Sequence, residues 1–474
     1  MRLSFSMSAL LAAVLLLSVP AKAGDRVISG GWETLGPPLG VLDRQGCSGG
    51  TVGRIVVGDD GLIYFGGWGI TRCGNTEGRD IFAYDPEANE FLALGGGINP
   101  GAGNIVDDMV WFQGSLYISG RFTSVGGVEV PAGIARWDGS QWHPVGGPLA
   151  DFHARVQSLV VHDNNLFAAG VFYPPGAIDE NGPGPCRIGR WDGSQWHKVV
   201  DCRGGTNPTY LYGQPLGLHS TPSGLLAAGN FWLGNNASYC GSPVKGIGLF
   251  SSTAWPAVPQ ALPAGSGLRY GPSHNNPGIY PVYQFQEAFY AGGGQDLRMP
   301  FCNDGNLSFV TVGALVRYNP EAEVWDPVGG LHSLSGRAPD DPLFPGNAAV
   351  YDMLSHDGVL YAAGSFRYAG GRIVNNIVRW NGSRWSGLGT GWDRPSNCNQ
   401  RVNAGSDGTI WALAVHDGYL YVGGSFSTMN RPEGPSGTWA ANGGISSTRI
   451  ARYRLDHSAV QNDLVFGDAF CANP

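Results

Sequence analysis

The chain contains 474 residues, of which 76 are Gly, 32 are Pro and only 14% are charged. Gly and Pro disfavour long helices, so this composition excludes a helical bundle and requires frequent turns. The formal net charge of −8 would repel the phosphate backbone of nucleic acids. We therefore expect no nucleic-acid partner.

Residues 1–23 have the pattern of a signal peptide. Arg2 is followed by the apolar stretch 10–19 and by the small-residue motif Ala21-Lys22-Ala23, so we predict cleavage before Gly24. An apolar run of about 10 residues is too short to cross a bilayer, which disfavours the alternative of a membrane anchor. We expect an exported protein, secreted or periplasmic, with no transmembrane segment.

One phrase returns seven times in the rest of the chain: a β-type run, a short polar turn, an aliphatic or aromatic pair, two small residues and Gly. Short runs rich in β-branched and aromatic residues between turns indicate strands rather than helices. The glycines that end the phrase are Gly67, Gly120, Gly170, Gly229, Gly293, Gly364 and Gly424.

A second phrase follows the first and consists of a strand, a tight turn and another strand, as in IARWDGSQWHPVGG with Trp137 and Trp142. Its Asp138-Gly139 dipeptide predicts a type I′ hairpin turn. Each unit therefore supplies four antiparallel strands, which we name a to d, and this is the pattern of a propeller blade. We predict an all-β fold, a seven-bladed β-propeller of four-stranded antiparallel blades over residues 24–456, with a C-terminal tail at 457–474.

The seventh unit is incomplete, because IARYRLD at 450–456 supplies a strand c with no strand d after it. The missing sequence stands at the other end of the chain, in GGWETLGPPL with Trp32. We infer that residues 27–39 form strand d of the last blade, so that an N-terminal strand closes the ring and removes a free sheet edge. The alternative is that 463–470, in the tail, supplies this strand.

The repeats resemble those of the kelch-type propeller family. The small-small-Gly ending of strand b, a Tyr or Trp on strand c and a second Trp on strand d carry the resemblance, most clearly in YDPEANEF and YNPEAEVW. The IARWDGSxWxxVGG variant is similar to repeats of bacterial exported proteins and of fungal cortical-marker propellers. The resemblance covers nearly all of residues 27–456. It implies the fold and leaves the function open, since propellers include binding modules and enzymes.

Eight cysteines in an exported chain predict disulfides, and the absence of any CxxC spacing argues against a zinc cluster. In a four-stranded blade the b–c and d–a connections emerge on one face, which we call the long-loop face. Seven of the cysteines fall in those connections, all but Cys471. From loop adjacency we hypothesise the pairs Cys47–Cys73, Cys186–Cys202, Cys240–Cys302 and Cys398–Cys471.

Several residue types recur at fixed repeat positions, and we interpret them as structural. They are the a–b turn histidines His162, His219, His356 and His416, and the strand-c arginines Arg136, Arg190, Arg317, Arg379 and Arg452. An aromatic residue soon after the repeat glycine is likewise expected in the core. Its copies are Trp68, Phe122, Phe172, Phe231, Phe366 and Phe426.

The candidate binding residues are Arg72, Tyr173, Trp232 and Arg155. The first three lie at or beyond the ends of strands b, where loops lead out to the long-loop face, and Arg155 begins a strand a. We predict no catalytic residue, no metal site and no cofactor. An even, disulfide-like cysteine count and a length that leaves no room for a flanking sugar-binding or immunoglobulin-like domain disfavour a copper radical oxidase. The repeated Asp boxes of a sialidase and a pair of carboxylates for glycosidic acid–base catalysis do not stand out in the pattern.

We therefore expect a monomeric, exported, non-catalytic propeller that binds an extracellular protein or glycan through its disulfide-stapled long-loop face. The alternative is a secreted hydrolase or oxidase with an active site on the ring axis, which would need polar side chains converging from the starts of strands a. Its candidate residues are Asn104, Arg155, Asn347 and Asn403. A third hypothesis is that the protein is a structural surface component of a cell envelope, and the sequence does not separate it from the first.

Overall fold

The structure is a computed structural model. It describes residues 27–28, 31–36, 45–101, 103–130, 133–146, 155–171, 188–199, 211–233, 244–250, 281–294, 298–303, 306–311, 313–322, 324–330, 334–335, 348–370, 372–388, 406–429 and 445–455. Within these ranges no helix is long and apolar enough to cross a membrane.

The protein is a seven-bladed β-propeller of four-stranded antiparallel blades, as predicted, and in each blade strand b lies between strands a and c. Blades one to three contain Gln45–Val57, Ile63–Cys73, Ile81–Asp85 and Glu90–Ala93; Ile105–Phe112, Ser115–Arg121, Ile134–Trp137 and Trp142–Pro144; and Arg155–His162, Asn165–Val171, Ile188–Trp191 and Trp196–Lys198. The described strands of blade four are Leu211–Thr221, Gly224–Leu233 and Val244–Phe250.

Blades five and six are built from consecutive strands, and blade seven is completed by a strand from the beginning of the chain. They contain Val282–Phe285, Ala288–Gly292, Leu315–Asn319 and Val324–Pro327; Ala349–His356, Val359–Ser365, Ile377–Trp380 and Trp385–Ser386; and Ile410–His416, Tyr419–Gly424, Ile450–Arg454 and Trp32–Glu33. Shorter strands lie outside this pattern, at Val27–Ile28, Thr76–Glu77, Ser124–Val125, Val128–Glu129, Arg298–Asn303, Asn306–Thr311, Leu334–Ser335, Tyr368–Ala369, Arg372–Ile373, Thr428–Met429 and Ile445–Thr448.

The hydrophobic core lies between the blades rather than within them. Its described residues form seven clusters, and each cluster joins side chains of two adjacent blades. Between blades two and three, for example, the small Ala168 of strand b packs near Phe112 and Tyr117 of the preceding blade. A single four-stranded sheet could not bury both of its faces, so stacking the blades in a ring supplies the missing partner for each face.

A β-bulge in strand a explains the glycine that ends the repeated phrase. In blade six the pairing shifts between Val350 and Asp352, opposite Gly364. A Cβ atom on Gly364 would lie 1.9 Å from the carbonyl oxygen of Ala349, which no side chain tolerates. The same shift occurs in strand a of blades one, two, three, four and seven.

The N-terminal clasp is confirmed. Trp32 pairs with Tyr453 and Glu33 pairs with Arg452, so a strand from the start of the chain completes the last blade. Trp32 is fully buried and its indole N–H points to the carbonyl oxygen of Leu388 in blade six. The alternative strand at 463–470 lies outside the described residues.

The prediction of type I′ turns in the c–d connections is wrong. Trp137 pairs with Trp142, so the c–d loop has four residues, and its Asp138 carboxylate accepts hydrogen bonds from the N–H groups of Ser140 and Gln141. Only the glycine of the Asp-Gly pair has positive φ. Two consecutive positive φ angles occur instead at the a–b turns, for example at Asp357-Gly358.

Candidate functional site

The candidate site is the end of the ring axis on the long-loop face. Strands a of adjacent blades contact one another around the axis, and each enters from this face. The bulges therefore lie near this end, where a bulge re-aims the side chains that it carries. We call the region the axial mouth and define it by the described bulge residues, which are Gly53, Asp107, Gln157, Leu216, Tyr351 and Trp411.

Three half-buried aromatic side chains form a platform on one side of the axial mouth. The rings of Tyr351 and Trp411 are stacked, with centroids 4.0 Å apart and an interplanar angle of 16°. Trp68, in the middle of strand b of blade one, meets Trp411 edge to face with centroids 5.6 Å apart. Gly53 makes room for Trp68, because a Cβ atom there would lie 2.8 Å from the indole ring. We name Trp68, Tyr351 and Trp411 the aromatic platform.

The assignment of Trp68 to the core is wrong. It directly follows Gly67, whereas the buried Phe122, Phe231, Phe366 and Phe426 stand two places after their glycines. A shift of one residue along a strand turns a side chain to the other face of the sheet. Trp68 therefore faces Trp411, and the remaining member of the predicted set, Phe172, lies outside the described residues.

Charged side chains lie at or near the bulges of blades one to three. The Arg54 guanidinium donates to Asp108 of the next blade at 3.1 Å. Arg155 makes a two-pronged ion pair with Asp107, with N···O distances of 2.6 and 2.5 Å. This pair raises the pKa of Arg155, so its guanidinium is charged throughout the accessible pH range.

An interblade joint recurs at the residue after the bulge. Asp108 accepts from the N–H of Leu159 at 2.8 Å, and Ser158 accepts from Leu218 at 3.0 Å. Asp352 accepts from Leu413 at 2.7 Å. In each case a side chain on one strand a binds the backbone of strand a in the following blade.

Burial shifts the pKa of the two carboxyl groups in these joints. It raises the pKa of Asp108 above its usual range, against the lowering effect of Arg54. It raises the pKa of Asp352 to about 6, partly offset by the Leu413 N–H bond and the charge of Arg54, while the charge of Asp108 adds to the rise. Asp352 is therefore ionised at neutral pH and neutral in mildly acidic solution.

The axial carboxylates are already engaged by the protein. One oxygen of Asp352 accepts from Met353 and the other from Leu413. Both oxygens of Asp108 are also bonded, as are both oxygens of Asp107. Such groups suit the holding of strands more than proton transfer to a substrate. Among the described residues, no group of three or more His, Cys, Asp or Glu is arranged to hold a metal ion.

Of the predicted binding residues whose side chains the structure describes, Arg155 lies at the axial mouth and Arg72 does not. Arg72 is exposed in strand b of blade one, opposite Ser48 and Glu77. The backbone of Trp232 pairs with Tyr212 and Lys245 in blade four.

The other predicted residues on this face are only partly described. Tyr173, Asn347 and Asn403 lie outside the described residues, and the amide of Asn104 donates to the carbonyl oxygen of Asn99.

The Cys47–Cys73 disulfide is present, as predicted. The two residues lie in paired strands rather than in loops, because the a–b ladder of blade one continues past its bulge. The backbone of Cys302 lies in a hairpin in the b–c connection of blade five. The other proposed pairs all include cysteines outside the described residues.

The joint residues and two members of the platform were missed, although the sequence carries a signal for them. The motif reads Val-Asp-Asp-Met at 106–109, Val-Gln-Ser-Leu at 156–159 and Val-Tyr-Asp-Met at 350–353. Its second place is the bulge and its third place is the joint. Blade seven has Ile-Trp-Ala-Leu at 410–413, which keeps the bulge and lacks the joint acceptor.

The opposite end of the axis carries the turn histidines. His162 contacts the hydroxyl of Ser220 at 2.9 Å and lies 3.6 Å from the largely exposed carboxylate of Asp163. The same His-Asp pair follows strand a in blades six and seven, at His356 and His416. This repetition favours a role in the turns over a catalytic triad at one of them.

A comparison with protein-family models found no match, and a search of curated proteins found none. The kelch-type resemblance therefore stays a prediction. Among solved structures, the chain is similar to the computationally designed Ika8 protein, with 10% identity, a TM-score of 0.36 and coverage of 87% of this chain and 98% of that one.

Two further structures are similar at the same distant level. YCF48 from Cyanidioschyzon merolae has 11% identity, a TM-score of 0.39 and coverage of 90% and 98%. The GH74 xyloglucanase from Xanthomonas campestris has 15% identity, a TM-score of 0.42 and coverage of 88% of this chain and 55% of that one. Similarity this distant carries no functional argument.

Proposed function

We propose that this protein is an exported, non-catalytic β-propeller that binds a glycan at the axial mouth. The observation that carries the proposal is the aromatic platform, in which the stacked pair of Tyr351 and Trp411 is only half-buried and lies beside charged groups. Ligand sites in proteins combine an apolar surface with a few well-placed polar groups.

The chemistry of the axial mouth matches that of a sugar ring. A pyranose presents a face of C–H groups that packs on a flat aromatic ring, and its edge presents hydroxyl groups that donate and accept hydrogen bonds. The platform of blades six, seven and one offers the aromatic surface, and the Arg54–Asp108 and Arg155–Asp107 pairs offer donors and acceptors on blades one to three. The inner strands of a ring surround this surface, so the narrow end of a glycan chain suits it better than the broad surface of a folded protein.

Binding is favoured over catalysis because the described axial carboxylates already hold strand N–H groups or arginines. A glycosidase would need one carboxyl group free to deliver a proton and a second free to act as a base or nucleophile. Export is supported by the N-terminal sequence and by the Cys47–Cys73 disulfide, since disulfides persist outside the reducing cytosol.

Arg155 remains a predicted binding residue, and we expect its guanidinium to donate hydrogen bonds to the glycan. Arg72, Tyr173 and Trp232 remain predicted contacts for the part of a longer chain that leaves the axial mouth across the long-loop face. Variants R72A and R155A belong in the same titrations, and we expect the larger loss of affinity from R155A.

The proposal is tested by calorimetric titration with neutral hexasaccharides: cellohexaose, chitohexaose, xylohexaose and mannohexaose. A Trp side chain buries 150–250 Å² when fully covered, so the part of it that meets a sugar contributes about 2 kcal/mol. We therefore expect W411A to weaken binding by roughly 30-fold. The matched control is W111A. Trp111 is a half-buried residue of strand a of blade two, at the end far from the axial mouth, and it stacks on Tyr64 of blade one. Its removal should leave affinity unchanged.

Two results would overturn the proposal. One is that no oligosaccharide of the panel binds to the oxidised protein. The other is that W111A weakens binding as much as W411A does, which would move the site away from the axial mouth. Release of shorter sugars during the titration would support the axial enzyme instead.

A further inference from the structure

Asp352 occupies the one described joint that lies beside the aromatic platform. Its neighbour Tyr351 is one half of the stacked pair, and its hydrogen-bond partner Leu413 is two residues from Trp411, the other half. The carboxylate thus links the two bulges that carry the stack, and its second oxygen binds Met353 on its own strand at 2.8 Å.

The same joint exists elsewhere without an aromatic stack. In blade three the acceptor is the hydroxyl of Ser158, which binds Leu218 of blade four at 3.0 Å. A hydroxyl does not titrate in the physiological range, so that joint is independent of pH. The Ser158 joint shows that a neutral hydroxyl can be the hydrogen-bond acceptor at this position. A carboxylate is therefore not required to hold two blades together.

We propose that Asp352 is a positioning residue that makes glycan binding at the axial mouth sensitive to acid. Its ionised carboxylate holds the bulges of blades six and seven in the arrangement that stacks Tyr351 on Trp411, and protonation loosens this joint. The effect on binding rests on the proposed function, whereas the effect on the stack does not.

The physical basis is the loss of charge-assisted hydrogen bonds. Bonds from an N–H group to an ionised carboxylate are about twice as strong as bonds between neutral groups. When Asp352 takes up a proton, one of its oxygens becomes a hydroxyl group. This hydroxyl is a poor acceptor for the backbone N–H group that faces it. Both donors, Met353 and Leu413, are fixed backbone groups, so the strands must shift to relieve the conflict.

The charged groups that face Asp352 are few. Arg54 of blade one favours the ionised form, and Asp108 of blade two disfavours it. Among the described residues, Ala412 and Leu413 of blade seven and Pro281, which stands at the position of blade five equivalent to Asp352, carry no charge. With burial, these groups leave the pKa of Asp352 at about 6, so the change falls between neutral and mildly acidic conditions.

The first test needs no ligand. Protein labelled with 5-fluorotryptophan gives a separate fluorine resonance for Trp411, assigned by its absence in W411F. We expect this resonance to titrate with a midpoint near pH 6 in the wild type. In D352S, which copies the Ser158 joint, the resonance should not respond to pH between 5 and 8. In the control S158A, which removes the equivalent joint of blades three and four, it should titrate as in the wild type.

The second test uses the tightest-binding hexasaccharide of the panel. If only the form with ionised Asp352 binds, one pH unit below its pKa leaves about a tenth of the protein competent, and affinity falls roughly tenfold from pH 7.5 to 5. D352S should lose this pH dependence and S158A should keep it. If D352S does not fold, D352N replaces it, because an amide is also neutral throughout this range.

The outcomes separate the two proposals. A Trp411 resonance that does not titrate, or that titrates alike in the wild type and D352S, overturns the role of Asp352 whatever binds. A resonance that titrates as expected while no hexasaccharide binds supports the joint and overturns the glycan proposal. A tenfold loss of affinity in acid that persists in D352S overturns the inference and leaves glycan binding intact.

Discussion

At the scale of single residues, the glycine that ends the repeated phrase lies opposite a bulge in the six blades where a bulge is described. Gly364 faces the carbonyl oxygen of Ala349 at a distance that excludes a Cβ atom, and Gly67, Gly120, Gly170 and Gly424 face strand a in the same way. The repeat glycines therefore permit the bulges, and the bulges turn the side chains of the axial mouth towards the axis.

We predict that G364A destabilises the protein by more than about 3 kcal/mol, because strand a must move to admit the methyl group. The control is G139A in the c–d loop of blade two, where nothing lies within 4 Å of the added Cβ and only the positive φ of 97° opposes the change. That variant should lose about 1 kcal/mol. Urea unfolding followed by fluorescence measures both, and equal losses would contradict the steric explanation.

The raised pKa of Asp352 makes a second prediction at this scale, for stability rather than binding. The folded state holds this proton more tightly than the unfolded state, whose Asp is hydrated and has a pKa near 3.8. In the loosened joint, by contrast, Asp352 stays buried and has lost its N–H donors, so the proton is held more tightly still. The contribution of Asp352 to the free energy of unfolding should therefore fall as the pH rises from about 4 to about 6 and stay level above that. Unfolding curves of the wild type and D352N across this range should diverge in that direction, and parallel curves would contradict the shift.

At the scale of strands, ring closure depends on a buried ion pair. The Glu33 carboxylate accepts from the Arg452 guanidinium at 2.8 and 2.7 Å, and both side chains are less than 10% exposed. The two residues come from opposite ends of the chain and join strands c and d of the last blade. Removing Glu33 would leave the buried Arg452 guanidinium without its carboxylate partner.

E33A should therefore destabilise the protein by about 3–5 kcal/mol. The matched control is E90A, which removes an exposed glutamate from strand d of blade one and should change stability by less than about 0.5 kcal/mol. A loss from E33A no larger than that of E90A would mean that the clasp contributes little to closure.

The strands show which features the sequence could predict. Trp32 was assigned to the last blade because its surroundings match the repeated strand d. The convergence of Tyr351, Trp411 and Trp68 was not predictable in the same way, since the first two are bulge residues of different blades and meet only when the ring closes. Trp68 resembles the core aromatics in sequence but directly follows its glycine, and in blades two, four, six and seven one residue separates the glycine from the buried Phe.

At the scale of the whole molecule, stability is spread over the interfaces between blades, since each core cluster belongs to two of them. The Cys47–Cys73 disulfide adds a covalent tie across strands a and b of blade one on the long-loop face. The axial mouth is thus built on inner strands that are held by interblade hydrogen bonds and, in blade one, by a disulfide. Rigid support of this kind suits a preformed binding site.

We predict that the double variant C47S/C73S keeps the fold and loses about 3–4 kcal/mol, because the disulfide closes a loop with a sequence separation of 26 residues. Denaturant unfolding in the absence of reductant measures the difference. A variant as stable as the wild type would show that the staple does not contribute to equilibrium stability.

We propose that the axial mouth holds a sugar ring against the aromatic platform. The most direct measurement is a crystal structure of the mature protein with the tightest-binding neutral hexasaccharide. Our account predicts a pyranose ring stacked on Tyr351 or Trp411, with hydroxyl groups within hydrogen-bond distance of the Arg54–Asp108 or Arg155–Asp107 pair. A sugar bound only among the outer loops, with the platform uncovered, would contradict it.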